Sequence, residues 1–106
     1  MDNKETEVIK LGNSIQLSGF RNLDGGKMVV LKKIVGNHIR KISENCESFE
    51  NIELIMKPIG PESSDQYEIH AKLVDNGKVV AAEDTDRNLF VVVDRVLTKI
   101  FNNISK

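Results

Sequence analysis

The chain has 106 residues, of which 40% are hydrophobic and 29% charged, as is typical of one globular domain. Its formal net charge of -1 at pH 7 argues mildly against a general nucleic-acid binder. No apolar run approaches the ~20 residues that cross a bilayer, and the polar N-terminus lacks the apolar core of a secretory signal. The single cysteine, Cys46, cannot form an internal disulfide. These features favour a cytoplasmic protein with no membrane partner.

The N-terminal part of the chain is polar and then begins to alternate. Residues 1–13 are predicted to be a polar lead-in, followed by a single domain over residues 14–106. Within the lead-in, residues 8–11 either pair with the next segment through Gly12-Asn13 or simply extend it. Residues 15–18 alternate apolar and polar side chains, which predicts a first strand with one buried face.

A helical pattern runs from Lys27 to about Asn45. Asp24 precedes it and is a plausible N-terminal cap. Gly36 lies inside this helix and costs about 1 kcal/mol relative to alanine. One face collects apolar residues at intervals of three and four, namely Met28, Leu31, Val35, Ile39 and Ile42.

Three strands are predicted in the second half of the chain. Residues 52–59 read as a strand ended by Gly60-Pro61, and residues 67–73 alternate apolar and polar side chains. Asn76-Gly77 is the pair that a two-residue hairpin turn needs, because both central residues must adopt positive φ. Residues 79–82 form the returning strand.

A second helix is predicted to end the chain. Asp84, Thr85 and Asp86 form a predicted N-terminal capping cluster whose charge suits the helix dipole. The apolar stripe behind them comprises Leu89, Val93, Val96, Leu97, Ile100 and Ile104. The element order β-α-β-β-β-α predicts an α+β fold, with two helices packed on one face of a four-stranded mixed sheet. A right-handed crossover makes the first two strands parallel neighbours.

Positive charge is concentrated in the first helix region. Residues 21–41 contain six basic residues and one acid, Asp24. At about 100° per residue, the outer side of the first helix collects Lys32, Lys33, Gly36 and Arg40. The outer side of the second helix collects Asn88, Arg95, Lys99, Asn102 and Lys106. Such groups can bind phosphates and sugars, although a solvated helix face has the same composition.

No catalytic or cofactor chemistry is apparent. The sequence contains no phosphate loop, dinucleotide fingerprint or paired metal motif. His38, His70 and Cys46 have no ligand-like spacing, so no metal site is expected. Glu44 and Glu47 are expected to raise the pKa of the Cys46 thiol. We therefore expect no catalytic residues, no cofactor and no enzymatic activity.

The second half of the chain has a familiar residue order. Residues 67–73, the turn at 76–78, Ala82-Glu83 and residues 88–94 resemble the ribosome hibernation promoting factor and ribosome-associated inhibitor family. The strand, glycine and aromatic-basic pair at residues 15–21 are also similar. The resemblance covers residues 14–104. Asn88, Leu89 and Phe90 replace that family's Asp, Met and Tyr, whereas Asp94 is identical.

The resemblance implies a fold similar to double-stranded-RNA-binding domains and a place on the small ribosomal subunit. The family occludes the decoding channel and silences translation during stress. The chain resembles a short form, which would need a homodimer or a separate partner to pair two ribosomes. The implied contacts with ribosomal RNA come from Lys32, Lys33, Arg40, Arg95 and Lys99, with Arg21 and Arg87 as weaker candidates near helix starts.

Two alternatives stay open from the sequence. The first is an RNA-binding module unrelated to ribosomes, which predicts comparable binding to isolated duplexes. The second is a protein-interaction or homodimer domain that uses the open sheet face, where Ile55 and Ile59 are predicted to lie.

Overall fold

The computed structural model describes residues 8–11, 14–20, 23–59 and 66–104. These residues form one five-stranded sheet and two helices. The elements in chain order are β1 (Val8–Leu11), β2 (Ile15–Ser18), α1 (Gly25–Glu44), β3 (Phe49–Ile59), β4 (Gln66–Asp75), β5 (Lys78–Asp86) and α2 (Leu89–Ile104). Neither helix is long and apolar enough to span a membrane, as far as the described residues extend.

The strands lie side by side in chain order from β1 to β5. β2 and β3 are parallel, as predicted from the crossover through α1, and the other neighbours are antiparallel. The predicted α+β fold, with order β-α-β-β-β-α from β2 onward, is confirmed. The sheet gains one short edge strand, β1, so the first of the two alternatives for residues 8–11 is correct.

The turn between β4 and β5 has the predicted geometry. Asn76 has φ of 53° and Gly77 has φ of 82°, and the closing pair is Asp75 with Lys78. The Asn76 amide donates to the Ser48 carbonyl at 2.8 Å, which ties the turn to the segment before β3. This two-residue turn sets the register of the whole hairpin.

Both helices cover the same face of the sheet. The buried residues of β3 and β4 alternate along each strand and pair across them, as Leu54 does with Ala71. The core they share with the helices is continuous. α1 buries Leu31, Val35, Ile39 and Ile42, and α2 buries Leu89, Val92, Val93, Val96, Leu97 and Ile100. The predicted stripes are confirmed, except that Met28 and Ile104 are only partly buried and Val92 is an addition.

The helix caps agree with prediction for α1 and differ for α2. The Lys27 amide donates to the Asp24 carboxylate at 2.8 Å, so Asp24 caps α1 as expected. The predicted cap of α2 by residues 84–86 is wrong, because these residues extend β5. Asn88 caps α2 instead, since its side-chain oxygen accepts from the amides of Phe90 and Val91 at 3.0 and 3.2 Å.

Candidate nucleic-acid interface

The outer face of α1 carries the basic residues that the sequence placed there. Lys32, Lys33 and Arg40 are all exposed, and Gly36 between them is exposed too. In the part of the chain that the structure describes, no carboxylate forms a salt bridge with any of these three cations. Their charge is therefore not neutralised by a described acidic side chain and is directed to solvent.

Two exposed apolar side chains lie at the N-terminal end of α1. Val29 is 57% exposed and Val30 is 42% exposed. They precede Lys33 by one helical turn, so apolar and cationic groups adjoin each other there. A surface of this kind can contact sugars and base faces as well as phosphates.

The cations of α2 are positioned differently, because β5 supplies them with acidic partners. The Arg95 Nε atom lies 3.0 Å from Asp84 Oδ2, and its NH1 atom lies 3.1 Å from Asp86 Oδ2. The Lys99 Nζ atom lies 3.3 Å from Asp84 Oδ2. These two cations also donate to backbone carbonyls of β5, Arg95 to Thr85 at 3.0 Å and Lys99 to Glu83 at 2.9 Å.

The pKa shifts of Asp84, Asp86 and Arg95 reflect the ion pairs between α2 and β5. The hydrogen bond from Arg95, aided by the Thr85 amide and by Lys99, lowers the pKa of Asp84 to about 2. The pKa of Asp86 is lowered chiefly by the backbone amide of Asn88, with a further contribution from Arg95. The pKa of Arg95 is raised in turn, mainly by its hydrogen bond to Asp84. Much of the charge predicted for the outer face of α2 is therefore neutralised within the fold.

A shallow cleft lies where the two helices begin. Lys27 and Arg87 line it together with Tyr67 and the first residues of α2. Arg87 is thus placed near a helix start, as predicted, and the fold adds Lys27, which the sequence could not assign to the same place. The other residue predicted near a helix start, Arg21, lies outside the described residues.

A histidine–aspartate contact joins the two helices. His38 Nε2 on α1 lies 2.6 Å from Asp94 Oδ1 on α2. The imidazole is 21% exposed and the carboxylate 60% exposed. This contact links the outer faces of the two helices directly, so it helps to set their relative position.

The single cysteine is not an activated nucleophile. The pKa of Cys46 is raised to about 11, first by burial and then by the charge and hydrogen bonding of Asp75. The predicted direction of the pKa shift is confirmed, but its causes are burial and the Asp75 carboxylate from the end of β4, and not the neighbouring glutamates. At neutral pH the thiol is protonated and unreactive.

Comparisons with known proteins find similarity in the fold. No protein-family model and no curated protein matches the sequence. A ribosomal subunit interface protein from Coxiella burnetii superposes with a TM-score of 0.60 at 16% identity, over 72% of this chain and 79% of that chain. The N-terminal domain of Protein Y from Thermus thermophilus superposes with a TM-score of 0.59 at 13% identity, over 72% of this chain and 80% of that chain. The chain therefore shares the fold that its family resemblance predicted.

Proposed function

We propose that this chain is a non-enzymatic ribosome-binding protein that docks on the small subunit through the outer face of α1. The observation that carries the proposal is the fold shared with a ribosomal subunit interface protein at a TM-score of 0.60. The exposed, unneutralised cations of α1 support it, because phosphate contacts dominate the affinity of proteins for nucleic acid.

The residues of the interface have different roles in this proposal. Lys32, Lys33 and Arg40 make the main phosphate contacts, since they have no acidic partner among the described residues. Arg87 adds a contact from the cleft at the helix starts, and Arg21 is kept as a candidate from the sequence prediction alone. Arg95 and Lys99 contribute less, because Asp84 and Asp86 already hold them, although their side chains are 45% and 50% exposed.

The proposed mechanism is occlusion of the decoding channel by a folded domain. Docking there would exclude messenger and transfer RNA and silence translation without any covalent chemistry. The same assignment places the protein in the cytoplasm. Pairing of two ribosomes would require a homodimer or a separate protein.

Cosedimentation with purified small subunits across a salt series tests the proposal. Each phosphate contact adds about 0.7 to 0.9 to the slope of log affinity against log salt, so Lys33→Gln with Arg40→Gln is expected to lower that slope by about 1.4 to 1.8. Lys72→Gln with Lys78→Gln removes the same charge from exposed positions on β4 and β5 and is the matched control. The control is expected to retain the parent slope.

Three outcomes would contradict the proposal or part of it. Equal slopes for the α1 pair and the control would remove the assignment of this face, provided that circular dichroism shows both variants folded. Absence of pelleting at low salt would remove the ribosome as partner. Equal affinity for an isolated RNA duplex and for the small subunit would favour the RNA-binding module unrelated to ribosomes.

A further inference from the structure

Three potential metal ligands converge on the sheet face that the helices leave uncovered. Glu68 and His70 are two residues apart on β4, so their side chains share a face. Glu83 on β5 is the direct cross-strand partner of His70. One ligand atom from each of the three residues lies within 4.8 Å of the other two.

The imidazole stands between the two carboxylates. His70 Nε2 lies 2.5 Å from Glu68 Oε2, and His70 Nδ1 lies 3.3 Å from Glu83 Oε1. Neither carboxylate forms a salt bridge to a described lysine or arginine. The two carboxylates therefore lack a salt-bridged lysine or arginine among the described residues.

The cluster is open to solvent on one side. The side chains of His70 and Glu68 are 30% and 32% exposed, and that of Glu83 is 68% exposed. A shallow cavity adjoins it, lined in part by the apolar or small side chains of Ile55 and Ala81 and by the cationic side chain of Lys72. An ion bound here would have access from solvent and room for a water ligand.

We propose that Glu68, His70 and Glu83 form a binding site for a divalent transition-metal cation of the Zn²⁺ class. One imidazole nitrogen and two carboxylate oxygens are a ligand set that zinc accepts, with water in the fourth position. The histidine argues against Ca²⁺ and Mg²⁺, which take oxygen ligands. Donors in a tetrahedral zinc site lie ~3.3 Å apart. Glu68 Oε2 and His70 Nε2, now 2.5 Å apart, must therefore separate to admit the ion. The exposed Glu83 side chain, which faces the other ring nitrogen, must move towards the same nitrogen by a rotamer adjustment.

The site is independent of the proposed ribosome contact. It lies on the sheet face opposite the helices, and a bound ion would cross-link β4 to β5. The imidazole already contacts both carboxylates directly, so an ion must displace these contacts in order to bind.

Isothermal titration of tag-free protein with ZnCl₂ at neutral pH tests the site. A Cys46→Ser background removes the thiol as a competing ligand. We expect one equivalent to bind and His70→Ala to weaken binding by more than about 10-fold, because even the loss of an outer-shell partner costs 10- to 100-fold. Glu68→Gln and Glu83→Gln are expected to weaken it as well. His38→Ala is the matched control and is expected to bind zinc like the parent.

Thermal unfolding supplies a second readout. Zinc is expected to raise the Tm of the parent and of His38→Ala, but not that of His70→Ala, because a ligand stabilises only the state that binds it. Equal zinc affinity in His70→Ala and the parent would overturn the proposal. Absence of parent binding at millimolar zinc would also overturn it.

Discussion

Replacing Asp84 with asparagine removes the charge that holds Arg95 and Lys99 against β5. The pKa of Asp84 is lowered from 3.8 to about 2, chiefly by the hydrogen bond from Arg95. At about 1.4 kcal/mol per pKa unit, this shift sets an upper limit of roughly 2.5 kcal/mol on its contribution to stability. Both cations are about half exposed, so solvent screening reduces the expected loss to about 1 kcal/mol.

The pH dependence of this loss has a definite sign. A carboxylate whose folded-state pKa is depressed stabilises the fold above its unfolded pKa and loses that contribution as the pH falls through the folded value. The difference in unfolding free energy between the parent and Asp84→Asn is therefore expected to be full at pH values above about 4 and to shrink towards pH 2.

Urea unfolding followed by circular dichroism measures this difference at neutral pH and through the acid range. Glu44→Gln is the control, because this exposed carboxylate forms no salt bridge with a described residue, and its effect should stay within about 0.5 kcal/mol. A neutral-pH loss below about 0.3 kcal/mol for Asp84→Asn would refute the reasoning. A difference in unfolding free energy between the parent and Asp84→Asn that does not diminish towards pH 2 would refute it as well.

Two further predictions concern the α2 cap and the cysteine. Asn88→Ala is expected to lower the unfolding free energy by about 1 kcal/mol, whereas Asn88→Ser should retain most of the parent stability. If urea unfolding gives Asn88→Ala the same stability as the parent, the capping role of Asn88 is contradicted. The pKa of Cys46 near 11, raised from 9.0, predicts alkylation by iodoacetamide at mildly alkaline pH about 10-fold slower than in the urea-unfolded chain, because the lower thiolate fraction is partly offset by the higher nucleophilicity of that thiolate. Equal alkylation rates in the folded and the urea-unfolded chain, measured by mass spectrometry, would contradict the raised pKa of the Cys46 thiol.

Local sequence signals predicted the features that depend on local chemistry. The Asn76-Gly77 turn was predictable because positive φ at two adjacent residues requires such a pair. Asp24 was predictable as a cap because it directly precedes the apolar periodicity of α1. The parallel pairing of β2 with β3 followed from the handedness of the crossover.

The features that the sequence did not predict depend on contacts between distant segments. Asp84 and Asp86 have the composition of a helix cap, yet they lie on the helix-facing side of β5, where Arg95 neutralises them. Local propensity cannot reveal that pairing, because the partners belong to different elements. The same pairing holds Arg95 and Lys99 against β5, which is why the phosphate contacts proposed for them are weaker than those of α1.

The pairing of His70 with Glu83 was, by contrast, accessible from the sequence. A two-residue turn at Asn76-Gly77 sets the register of every pair in the hairpin, and continuing the count places these two residues opposite each other. Glu68 then lies on the same face of the sheet as His70, because side chains two residues apart on a strand point to the same side. The spacing of potential ligands along the chain does not indicate this cluster, because its members lie across a hairpin.

The hydrogen bonds from α2 to β5 also have a consequence for self-association. β5 is the last strand of the sheet, and an unpaired edge is a template on which another chain can add a strand. Lys99 and Arg95 donate to the carbonyls of Glu83 and Thr85, so the C-terminal half of that edge is a poorer acceptor for the amides of an incoming strand. The two cations thus weaken this edge as a template for strand addition while they tie the last helix to the sheet.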